Sequence, residues 1–80
     1  MTAKLHAISD IGVIRTGLAL AGISSEAAHT PEEVGHALEN IAPDIGVVIV
    51  TSGLAARSAE ILEKYREKKH YPLVTVIPEL

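Results

Sequence analysis

The stretch Ile45–Thr51, IGVVIVT, constrains what this chain can fold into more than any other segment. It is continuously apolar up to its closing threonine and β-branched everywhere except Gly46. Alternating apolar and polar residues would mark a strand with one wet face. A continuous run instead predicts a strand covered on both faces, as in a parallel sheet. Asp44 and Ser52-Gly53 bound it, so it is too short for a helix. Leu73–Ile77, LVTVI, lies between Pro72 and Pro78 and is a second run of this kind. Lys4–Ser9, KLHAIS, is a weaker third, and Ile23–His29 has room for a short edge strand.

Helical patterns separate these runs. Thr30-Pro31-Glu32-Glu33 combines an N-cap threonine, a proline at the first helical position and a glutamate at the third. That is a capping box with its acids at the positive helix end. The helix it opens carries Val34, Leu38 and Ile41 at helical spacing and stops before Pro43. A further helix from about Gly53 to His70 puts Leu54, Ile61, Leu62 and Tyr65 on one stripe. Glu60 and Lys64 are spaced for an i,i+4 pair, and Lys68-Lys69-His70 suits the negative helix end. Strands alternating with helices imply right-handed crossovers. The predicted fold is α/β, a small three-layer Rossmann-like or flavodoxin-like sandwich. Its four-stranded parallel sheet has order 2-1-3-4, with Val47 and Ile49 enclosed at the centre.

The 80 residues suffice for one domain, expected over 1–80. Only Tyr65 and Tyr71 are aromatic, so the core must be aliphatic. The net charge of −3 argues against a polybasic nucleic-acid binder working by counterion release. Without cysteine there is no disulfide, thiolate zinc site or cysteine nucleophile. No apolar run reaches the ~18–20 residues that span a bilayer. The segment Met1–His6 does not resemble a secretory leader, and an intracellular location is expected.

The segment Ile11–Gly22 is unusual. Ile11, Ile14, Leu18 and Ala21 form one apolar stripe, which should face the sheet. Val13, Gly17 and Leu20 form another, and only Arg15 and Thr16 are strongly polar. A surface helix normally has one apolar and one polar face. Two apolar stripes call for cover from two sides. The second cover is either a protein partner or the chain's own carboxy-terminal segment or Tyr71 ring. Gly17 would let a partner helix approach closely, and Gly22 reads as a helix C-cap.

Signals for chemistry are weak. Asp10 follows the first strand, where open α/β sheets place ligands, but a lone aspartate there also serves as a helix cap. A phosphoacceptor site would need several acids around a magnesium ion, and the third strand ends Thr51-Ser52-Gly53 without one. Gly12, Gly17 and Gly22 do not have the G-x-G-x-x-G spacing of a dinucleotide site. Ser52-Gly53 either caps a helix or offers backbone N–H groups to an anion. His6, His29, His36 and His70 fit no metal-ligand spacing. A Ser–His–acid triad is compositionally open, but no nucleophile-elbow motif frames a serine.

Gly17-Leu18-Ala19-Leu20-Ala21-Gly22-Ile23, Ile45–Thr51 and Pro72-Leu73-Val74-Thr75-Val76-Ile77-Pro78, taken in order, resemble three landmarks of one family, the F subunit of the rotary V-type (vacuolar and archaeal-type) ATPases. The resemblance runs from Lys4 to Glu79. The sequence departs from the family pattern at Ser9, at Asp10-Ile11-Gly12-Val13 and at Leu18. It ends at Leu80, where family members usually continue into a helical tail. The resemblance implies a noncatalytic, cytoplasmic component of the central rotor stalk, peripheral to the membrane, without catalytic residues, cofactor or metal. It would bind the long coiled coil of the rotor's D subunit and turn within the catalytic hexamer, touching no nucleic acid and entering no membrane. Val13, Gly17 and Leu20 are the interface candidates. The alternative is a small anion- or ligand-binding regulatory module using Asp10, Ser52 and Gly53.

Overall fold

In the computed structural model, which describes residues 4–69 and 72–79, Ile45–Thr51 forms strand β3 at the centre of the sheet. The elements before it are β1 (Lys4–Ser9), α1 (Gly12–Leu20), β2 (Ser24–Ala27) and α2 (Pro31–Glu39). After it come α3 (Ser52–Arg57), α4 (Ala59–Lys68) and β4 (Leu73–Ile77). The described strands are all parallel, in order β2-β1-β3-β4.

Local chemistry explains the boundaries. Glu33 N–H donates to Thr30 Oγ1 at 3.1 Å, while the Glu33 carboxylate reaches back to His29 N–H at 2.7 Å. Pro31 occupies the first turn, where its missing N–H costs nothing. Helix α1 ends at Gly22, the one positive-φ residue described, at +81°. Gly22 N–H donates to Ala19 O at 3.0 Å and Ile23 N–H to Leu18 O at 2.9 Å. This Schellman closure needs the left-handed conformation that glycine adopts without a Cβ penalty.

The register sorts side chains onto two sheet faces. Ile8 pairs with Val50, and Val50 with Val76, so these share a face with Val48 and Val74. Ile8, Val48 and Val50 are fully buried in one cluster with Ala28, Val34, Leu38, Leu54 and Leu62. Helices α2, α3 and α4 therefore cover this face. Leu5, Ala7, Val47, Ile49, Leu73, Thr75 and Ile77 point to the other. There α1, which crosses from β1 to β2, lies over only that half of the sheet.

Three expectations need correcting. Cover on both faces of β3 is met on one: Val48 and Val50 are buried, but Val47 and Ile49 are half-buried. The third layer of the sandwich is a single helix. Within it, Ile11, Ile14 and Leu18 are half-buried as the sheet-facing stripe, whereas Ala21 is exposed. The single helix from Gly53 breaks at Ser58, whose φ of −111° and ψ of 18° leave the helical region. Ser58 is buried, and its Oγ has no hydrogen-bond partner among the described residues. The break lets α3 pack on β3 and β4 while α4 turns against α2. The expected helix end at His70 and the expected cover by Tyr71 lie outside the described residues.

Candidate protein interface

The second stripe of α1 points outward. Val13 is 78% exposed and Leu20 is 87% exposed. A Cβ built on Gly17, between them, would meet nothing within 4 Å. On the sheet face that α1 only half covers, Leu73 is 63% exposed and Leu5 is 38% exposed. Four of the five large hydrophobics exposed among the described residues thus belong to α1 or its sheet face; the exception is Val76. Single exposed apolar residues are ordinary, but their concentration on one side of a small domain makes that side the candidate interaction surface. Leu5 and Leu73 are not among the sequence candidates. Leu73–Ile77 reads in sequence as a strand covered on both faces, but β4 lies at the sheet edge and α1 packs over β1 and β2.

The strand-end crevice between β1 and β3 is the place where open α/β sheets bind small molecules. Here the chain's own side chains meet in it. Asp10 Oδ2 accepts from Arg57 Nη2 at 2.7 Å, tying the end of β1 to α3. That hydrogen bond holds the Asp10 carboxyl below the usual carboxylate range, against the opposing effect of burial. Asp10 is therefore not the cap of α1. The N-cap position is Ile11, which makes no side-chain cap bond. The charged guanidinium is the stronger partner for the carboxylate. Ser9 Oγ instead accepts from Ile11 N–H at 3.1 Å and sits 3.1 Å from Thr51 Oγ1. Arg15 Nη1 donates to Ser9 O at 2.7 Å.

Gly53 N–H does meet an anion, and it is Glu79. The carboxylate accepts at 2.7 Å, while Glu79 N–H donates to Ser52 Oγ at 3.3 Å. A side chain at Gly53 would collide with that carboxylate. Asp10 lies with Arg57 and Ser52-Gly53 with Glu79, so each sequence candidate for an anion site has an internal partner.

Strand pairing assembles one constellation that the sequence conceals. His6 on β1 lies beside Ser24 and Glu26 on β2. His6 Nε2 and Glu26 Oε2 are 2.7 Å apart, as are His6 Nδ1 and Ser24 Oγ. A carboxylate only accepts, so Nε2 carries a proton, and in the neutral ring Nδ1 accepts from the serine. The connectivity is that of a catalytic triad. Yet Ser24 lies on a strand, not on the strand-to-helix turn that presents a nucleophile. The chain of bonds laces the four-residue edge strand β2 to β1. Among the described residues no group of three or more His, Asp or Glu side chains is arranged to hold a metal ion.

Together these features define a small doubly wound parallel α/β domain, with closed strand ends and an apolar surface on one side. The family model for the ATP synthase (F/14-kDa) subunit matches residues 5–80. The chain belongs to that family, the F/14-kDa subunit of the V-type rotary ATPases, and is a component of such a complex. The glycine-rich helix end, the central strand and the proline-bounded strand that carried the resemblance all fall within the match. Comparison with curated proteins returned no match. No helix among the described residues is long and apolar enough to cross a membrane.

Proposed function

We propose that this chain is a noncatalytic adaptor of the central rotor stalk. It docks the α1 side of its sheet against the coiled coil of the rotor's D subunit and turns with it inside the catalytic hexamer. In this way it couples ATP hydrolysis or synthesis to ion transport from the cytoplasmic side of the membrane. The observation that carries the reading is the outward stripe of Val13 and Leu20 with Gly17 between them. Burying two such side chains is worth about 1.5–3 kcal/mol each. A glycine at the crossing point lets two helix backbones come close. Membership of the F/14-kDa subunit family supports a partner within the rotary ATPase complex.

The test is Leu20→Glu. Its side chain is exposed, so unfolding free energy should stay within about 0.5 kcal/mol of wild type by urea titration. Capture of the purified coiled-coil partner should be lost. A folded variant that binds this partner at wild-type strength would refute the interface. Loss of fold would instead place Leu20 in a core.

A further inference from the structure

We propose that the groove between α2 and α4 is a second docking site, which takes an acidic amphipathic helix through an apolar anchor side chain. The groove has a volume of about 280 Å³. Leu38, Ile61 and Tyr65 supply its apolar walls, and Gly35 leaves room where α2 faces Ile61. Lys64, Lys68 and Lys69 stand on its rim, against a single lining carboxylate, Glu39. The chain has net charge −3 and seven Lys and Arg in all, so three cations on one groove run against its overall balance. Lys64 faces Glu60 at 3.5 Å in an exposed pair, and Lys69 lies over the Tyr65 ring at 5.6 Å. Exposed contacts of this kind are weak and exchange readily for a better partner.

Charge and size together select the occupant. Pockets for whole small molecules run to ~300–1,000 Å³ and enclose their ligand. This groove is open and suits one or two aliphatic or aromatic side chains. A helix laid in a groove presents such anchors at i, i+3, i+4 and i+7. Acidic residues flanking the anchors would meet the three lysines, giving complementarity and a salt-sensitive on-rate. The groove adjoins the buried cluster on the face away from α1. The domain could thus hold two partners on opposite sides, and failure here leaves the α1 reading untouched.

The test uses a fluorescein-labelled helical peptide with leucines at i, i+3, i+4 and i+7 and flanking glutamates. The control has lysines in place of the glutamates. Anisotropy should show the acidic peptide binding the full chain at least roughly tenfold tighter than the control, weakening as salt rises from about 0.05 to about 0.5 M. Lys64→Gln/Lys68→Gln/Lys69→Gln should remove that preference. Gly35→Leu should block the acidic peptide sterically while raising the helix propensity of α2. Equal binding of both peptides, or acidic-peptide binding unchanged in Gly35→Leu, would overturn the proposal. Binding to phosphatidylserine vesicles with none to the peptide would overturn it in favour of a membrane surface.

Discussion

The two faces of the sheet are made from the same strands and packed in opposite ways. On the α2–α4 face, Ile8, Val48, Val50, Leu38 and Leu54 are almost wholly buried. On the α1 face, Ala7, Ser9 and Thr51 are buried, Val47 and Ile49 are half-buried, and Leu5 and Leu73 are exposed. No residue of α1 itself is buried. Stability is thus concentrated on one side and available contact surface on the other. Burial and binding use the same aliphatic side chains, so a domain this small cannot spend them on both.

The largest expected effect tests the packed side. Leu54 is fully buried, and Leu54→Ala should cost about 2–5 kcal/mol through lost transfer energy and a residual cavity. Urea denaturation measures it; a loss near that of a surface substitution would mean this face is not the core. Neighbouring residues on β3 sharpen the contrast. Val48→Ala removes fewer atoms than Ile49→Ala, yet should cost more, about 2 against about 1 kcal/mol, because Val48 is enclosed and Ile49 half-wet. A reversed order would show that the α1 face is as well covered as the other.

A smaller effect tests the closed strand ends. Arg57→Ala should lose under about 1 kcal/mol at neutral pH, since Arg57 is half exposed and solvent screens the pair. The sign with pH follows from the depressed Asp10 carboxyl. A carboxyl whose folded pKa is lowered adds stability above its unfolded value of about 3.9. That stability disappears as pH falls through the lower folded value. The gap between wild type and variant should therefore hold from neutral pH to about 5 and close below about 4. A gap that widens in acid would mean that Asp10 is not paired with Arg57.

The order of helices and strands was legible because each carries its own local signature. The capping box fixes the start of α2, Gly22 the end of α1, and aliphatic runs the strands β3 and β4. The break at Ser58 was hidden: the helical pattern is unbroken across it, and a buried serine takes its meaning from what the two halves pack against. Asp10 was misleading for a similar reason. A cap is a local bond, but its actual partner, Arg57, is distant in sequence and arrives only when α3 folds beside β1.

The sequence by itself determined the strands, the helices apart from the break at Ser58, and their alternation, and it pointed to the order 2-1-3-4 that the sheet adopts; right-handed crossovers fixed only the hand of each connection. The elements and their alternation depend on periodicity and backbone preference, which act over a few residues. Only the tertiary structure decided which aliphatic side chains are core and which are surface. A continuous apolar strand reads the same whether two helical layers cover it or one layer and part of another. The count of helices on each face comes from the crossovers taken together: two steps toward β4 place α2, α3 and α4 on one side, and the single step to β2 leaves α1 alone on the other. Val47, Ile49 and Leu73 are left partly uncovered because no single segment encodes how many helices share a face.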